Sequence, residues 1–189
     1  MKLDVGIRVM TLGLAASFLG TVGCATYSPV SRRYSEFGSG LRADLPKGWL
    51  RFNPAKDGCT ITRDGLRLER VTLRTHRVGK KIEGTDRVYS AGMMPYEAAD
   101  LSVGLLKAQP DVKGFEVQEI DATRVAGQEG YQIDARYVDG AGLGKRLRIC
   151  GAMAGKYVYE LVYEAAEAVY FQKYERVFEG IVSSVRIAR

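Results

Sequence analysis

Residues 63–81 hold Arg63, Arg67, Arg70, Arg74, Arg77, Lys80 and Lys81 against only Asp64 and Glu69. Arginine presents its N–H donors in a planar fork that matches a carboxylate or phosphate bidentately. Arg70, Arg74 and His76 share one strand parity, so an extended chain sets them in a row. Arg67, Arg70, Arg74, Arg77, Lys80 and Lys81 are therefore the candidate contacts for an anionic protein or lipid surface. The competing role is simpler: charge on an exposed edge strand discourages sheet-to-sheet aggregation. His76 is the only histidine, and no ligand pattern around it builds a metal site. GAGLGK at residues 140–145 suggests a phosphate loop, but it misses the glycine-lysine pattern and opens a strand where such a loop opens a helix. Glu160, Glu164 and Glu167 fall at a predicted strand end and helix start, where acids complement the helix dipole. Neither GxSxG nor HExxH occurs. No catalytic constellation is present, and no metal or cofactor is expected.

Tyr157, Tyr159 and Tyr163 share one strand face, and Tyr131 and Tyr137 share another. Such rows either stabilise a sheet or form a ligand platform. Cys59 and Cys150 also lie in strand-like segments. In an oxidising compartment they are a possible disulfide, which requires adjacent strands with Cα atoms about 5.5 Å apart. Otherwise they are buried thiols acting as small apolar side chains.

The N-terminus places Lys2, Asp4 and Arg8 before a charge-free run over residues 9–31. The apolar part, 9–19, is shorter than the roughly 20 residues of a membrane span, and small residues follow it. This is the pattern of an export leader over 1–23. Its end, Thr21-Val22-Gly23-Cys24, resembles a bacterial lipobox, whose cysteine is acylated and becomes the mature N-terminus; Thr21 stands where Leu is usual. Ordinary signal-peptidase cleavage and an uncleaved anchor helix over 9–26 are the alternatives. Ala25 after the cysteine goes, in the lipoproteins this resembles, with sorting to the outer membrane, facing the periplasm. Residues 24–40 are then the lipidated cysteine and a tether: Ser, Pro and Gly without apolar period, with an r.m.s. reach of about 20–25 Å. Arg32 and Arg33 on it lie near the headgroups.

The net charge of +6 includes Lys2, Asp4 and Arg8 of the leader, so the rest is only mildly basic and no nucleic-acid partner is expected. A 189-residue chain, 46% hydrophobic and 26% charged, accommodates one folded domain over 41–189. Short strands are predicted at 41–45, 49–53 and 59–63, and a longer one at 66–77 with a bulge or break near Glu69-Arg70. Pro95 starts a helix that ends at Gln109-Pro110. Alternating residues over 115–125, 131–137, 147–153 and 157–163 give an antiparallel meander, its last strand covered on both faces. A helix over 165–183 and a short strand at 185–187 close the chain.

This order predicts an α+β sandwich, not alternating βα units. LPKGW at 45–49, the helix after GMMP, the VAGQEG hairpin at 125–130 and the ending YVYELVYEAAEAVYFQKYERVFEGIVSSVR resemble the PsbP-like superfamily over residues 41–187. That group includes an extrinsic photosystem II subunit, a Ran-binding relative and many bacterial proteins. The resemblance implies an antiparallel sheet with helices on both faces and usually no enzymatic activity; it carries no binding residue onto this chain. The expected protein is a non-catalytic, lipid-anchored binding or assembly factor of the cell envelope. An envelope hydrolase with a site of scattered residues, and a carrier of a small apolar or lipid ligand, are the alternatives. Intact mass of the native protein is expected to show a chain beginning at an acylated Cys24; a mature form starting at Thr26 without acyl mass would exclude this.

Overall fold

The computed structural model describes residues 26–53 and 58–188. The leader and Cys24 lie outside the described residues. The chain builds β1 (Tyr27–Pro29), β2 (Arg33–Ser35), β3 (Leu41–Asp44), β4 (Leu50–Phe52), β5 (Cys59–Thr62), β6 (Glu69–Arg77), α1 (Pro95–Lys107), β7 (Lys113–Val125), β8 (Gln128–Val138), β9 (Gly144–Ala154), β10 (Tyr157–Ala166), α2 (Tyr170–Ser184) and β11 (Arg186–Ile187). The main sheet runs β1-β4-β5-β6-β10-β9-β8-β7, with antiparallel pairing throughout. A small sheet, β11-β3-β2, lies beside it. The fold is the antiparallel α+β sandwich that the sequence predicts, with helices on both faces.

Strand alternation sorts the core into two layers. Tyr159, Leu161 and Tyr163 of β10 face Phe171, Phe178 and Ile181 of α2 and Leu41 and Ala43 of the small sheet. Val158 and Val162 face Ala98, Ala99, Val103 and Leu106 of α1. A strand buried on both faces has few polar positions, which is why β10 was legible as central. The β7–β8 hairpin turns at Ala126 and Gly127, whose φ values of 50° and 78° are the positive pair such a turn needs. Among the described residues no helix is long and apolar enough to cross a membrane.

Four expectations change. Residues 27–35 are not a free tether: β1 pairs with β4 and β2 with β3. The anticipated break near Glu69-Arg70 is the start of β6, after a turn in which the Gly65 carbonyl accepts from the Leu68 and Glu69 amides at 2.8 and 3.1 Å. The second helix begins at Tyr170, because β10 continues to Ala166. Cys59 and Cys150 are not bridged. They lie in one row, Cys59–Leu73–Leu161–Cys150, with two strands between them. At about 4.8 Å per strand that is roughly 14 Å, beyond the reach of a disulfide. Burial pushes the Cys150 thiol up to about 12 and raises that of Cys59, so both are apolar filling. Both thiols are expected to react with a thiol reagent once the purified protein is unfolded without reductant; no reaction there would mean a bridge.

Candidate functional site

β6 is interior, between β5 and β10. This corrects the exposed basic edge expected from the sequence. Val71 and Leu73 fill one layer, so Arg70, Thr72, Arg74 and His76 point into the other, beneath α1. Two of the arginines are taken by acids directly opposite. Arg74 and Glu160 are cross-strand partners, as are Arg70 and Glu164. Arg74 Nε donates to Glu160 Oε2 at 2.6 Å, and Arg70 Nη2 to Glu164 Oε2 at 2.7 Å. Lys145, itself buried, stands 3.6 Å from Glu164 and donates to the Arg67 carbonyl at 2.6 Å.

Glu160 is fully sealed from water. Its Oε1 accepts from Tyr131 OH at 2.6 Å, from Ser102 Oγ at 2.5 Å and from Tyr89 OH at 3.2 Å. Tyr131 reaches it by lying across Gly151, where an added Cβ would collide with the ring. Burial by itself would raise the Glu160 pKa. The Arg74 charge, the neighbouring His76 and the Ser102 hydrogen bond outweigh burial and hold the carboxyl well below its ordinary range. Burial and the Glu160 charge push both Tyr89 and Tyr131 upward.

Beside this network lies an open cleft of ≈ 620 Å³, walled by Arg74, His76, Arg77, Lys80 and Lys81, by the carboxylates Glu36 and Glu83, and by the end of α1. It exists because β5 stops short: Cys59 pairs with Leu73, and β6 continues to Arg77. Gly58 lies so close to the Leu73 carbonyl that a Cβ would overlap its oxygen. Arg74 Nη2 and His76 Nε2 are buried and have no hydrogen-bond partner among the described residues. The His76 ring is tilted against Tyr89, with centroids 5.4 Å apart, and its Nε2 is 3.4 Å from Glu160 Oε2. Arg77, Lys80 and Lys81 are exposed at the rim, Lys81 in an ion pair with Asp86.

The predicted cations thus divide. Arg74, Arg77, Lys80 and Lys81 meet at the cleft; Arg70 is engaged by Glu164, and Arg67 lies at the other end of β6. Glu160 and Glu164, expected near a helix start, are instead buried countercharges. The signal was their spacing: Arg70 and Arg74 are four apart, as are Glu160 and Glu164, which matches an antiparallel pair of strands. The tyrosines are not a platform. Tyr159 OH donates to the Ser39 carbonyl at 2.6 Å, Tyr163 OH to the Tyr170 carbonyl at 2.7 Å, and Tyr131 OH to Glu160. Residues 140–145 form the β8–β9 turn. Among the described residues no three His, Cys, Asp or Glu side chains group as metal ligands would.

No family model and no curated sequence matches the chain. Solved structures do. The chain is similar to the cyanobacterial PsbP protein of Synechocystis (17% identity, 89% of this chain and 96% of that one, TM-score 0.55). It is similar to LpqN of Mycobacterium tuberculosis, described as involved in cell envelope biogenesis (14%, 86% and 91%, 0.57). The Ran-binding protein Mog1p of Saccharomyces cerevisiae matches at 9% identity (85% and 96%, 0.53). The chain has the PsbP-like fold.

Removing one member of a buried ion pair typically costs about 3–5 kcal/mol, because the other charge is stranded. Glu160→Gln is therefore expected to lower Tm by something on the order of 10 °C. Arg74→Met combined with Glu160→Gln removes both charges and keeps an acceptor for Tyr131 and Ser102, so it should recover much of the loss. The Glu160 pKa is lower folded than unfolded, so its contribution is complete above about 4.5 and disappears as pH falls through the depressed value. Thermal melts across acid pH test both points. Equal losses in the single and double variants would show that the charge pair is not what holds this layer.

Proposed function

We propose that this protein is a non-catalytic binding factor of the cell envelope, anchored by acyl chains on Cys24, whose cleft takes an anionic group of its partner. The cleft carries this reading. Buried N–H groups without partners are rare and mark a place where a ligand or water completes the bonding. Arg74 and His76 line the cleft, and Arg74 Nη2 and His76 Nε2 are two such groups, buried behind its wall. Arg77 and Lys80 at the rim attract anions before contact, and an arginine fork suits a carboxylate or phosphate. The export leader and lipobox-like end support an envelope location, as does the likeness to LpqN. Outer-membrane sorting follows the same reasoning from Ala25. A carrier cavity between α1 and the sheet is ruled out, because Tyr89, Val103, Leu106 and Val162 fill that space; the apolar groove at Met94, Tyr96 and Ile120 is open to solvent.

The test is a melt in inorganic phosphate against chloride at equal ionic strength. A ligand at ten times its Kd adds about 1.4 kcal/mol, a rise of roughly 3–6 °C for a domain this size. The variant Arg77→Gln with Lys80→Gln should melt normally in chloride and lose most of the phosphate gain. An identical gain in that variant would remove the cleft from consideration.

A further inference from the structure

We propose that the end of the main sheet at which β6 and β9 finish rests on the bilayer, with Phe37 inserted among anionic lipid headgroups. The inference rests on acylation of Cys24 and adds to it an orientation. Three observations meet at this end.

The first is an exposed ring on a built support. Phe37 is 104% exposed, beyond any other large apolar side chain in the described residues. It sits at the tip of the β2–β3 turn, and that turn is held from both sides. The Glu36 amide donates to the Leu41 carbonyl at 2.8 Å, and the Glu36 carboxylate accepts from Thr75 Oγ1 at 2.6 Å and from Ser39 Oγ. Tyr157 OH donates to the Gly38 carbonyl at 3.1 Å and Tyr159 OH to that of Ser39 at 2.6 Å. The hydrogen bonds secure the residues flanking Phe37 and leave its ring outward. An exposed apolar ring such as Phe gains by burial at the boundary between the headgroups and acyl chains of a bilayer.

The second is where the chain joins the fold. β1 runs antiparallel to β4, in the same direction as β5, away from the end where β6 finishes. The Thr26 carbonyl accepts from the Asn53 amide at 2.8 Å, so ordered pairing starts two residues after Cys24. Two residues span at most about 7 Å. An acylated Cys24 therefore holds the domain against the membrane by this end, where a 16-residue tether would have let it turn freely.

The third is charge. Arg77, where β6 ends, and Lys156, in the β9–β10 turn, are exposed, and the Lys156 carbonyl accepts from the Val78 amide at 2.9 Å, which ties the two turns together. Lys80 follows two residues later. Among the described residues Arg77, Lys80 and Lys156 have no ion-pair partner, and Tyr157 ties them to the Phe37 turn. Cations near a surface of anionic lipid are attracted over about a Debye length.

The variant Phe37→Trp reports the contact directly, since the one native tryptophan, Trp49, is buried. The acylated full chain carrying it is placed in vesicles of phosphatidylglycerol and phosphatidylethanolamine, and iodide quenching is compared with that of the Cys24→Ser form free in solution. Quenching is expected to fall several-fold on the vesicles, with a blue-shifted emission. Adding Arg77→Gln, Lys80→Gln and Lys156→Gln should restore much of the quenching while the protein still floats with lipid. Vesicle-bound, acylated protein whose introduced indole stays as accessible as in solution would overturn the orientation and leave the anchor intact. Intact mass reads the anchor separately: absence of acyl chains would overturn the anchor and this proposal together.

Discussion

Glu160 has no contact with water and keeps its charge, so each group around it is placed to answer that charge. The row Arg74–Glu160–Gly151–Tyr131 crosses β6, β10, β9 and β8. Arg74 supplies the countercharge, which requires β6 to be the neighbour of β10. Gly151 supplies space, so that the Tyr131 ring can pass over β9. Ser102 and Tyr89 reach the same oxygen and so couple α1, and the loop before it, to the sheet. A buried carboxylate is costly unless most of its lone pairs are satisfied. Here that need specifies strand order, helix position and loop path together, which apolar packing alone does less sharply.

The same pair sets the electrostatics of the cleft beside it. Arg74 spends its charge on Glu160, so the two sum to near zero for an incoming anion. Any attraction for an anion there comes from the exposed Arg77 and Lys80, since Lys81 is paired with Asp86, and it is screened by salt.

How much of this was legible in the sequence depended on how local the cause was. The meander from β7 to β10 and the start of α1 at Pro95 follow from alternation and turn chemistry within each segment. β6 was harder. Its polar residues occupy every second position, the pattern of a solvent-facing side, and only the matching spacing of Glu160 and Glu164, some ninety residues away, shows that the side is internal. The separation of Cys59 from Cys150 is likewise a property of strand order, to which no short segment testifies. β1 and β2 have three residues each and no periodicity. They are strands because the neighbouring strands offer backbone partners, and Ser, Pro and Gly nearby gave them the look of a tether.

Structures at 9–17% identity share these layers, so the layers do not decide what is bound. The decision falls to the end of the sheet where strand lengths disagree. β6 outruns β5, and β4 and β1 stop at about the level of β5. A ragged sheet end cannot close on itself with backbone hydrogen bonds. The gap is bordered by the turn at 36–40 and the loop at 78–94, segments free of the alternation that a packed strand imposes. Unpartnered N–H groups, an outward aromatic ring and surplus cations are tolerated there because no core depends on them. The opposite end of β6 shows the contrast: Glu69 accepts from Thr62 Oγ1 and from the Arg63 and Asp64 amides, and the turn is satisfied from within. Unpartnered polar groups and unpaired cations accumulate, among the described residues, where the sheet is left unfinished, and Thr26 joins the fold at that same end.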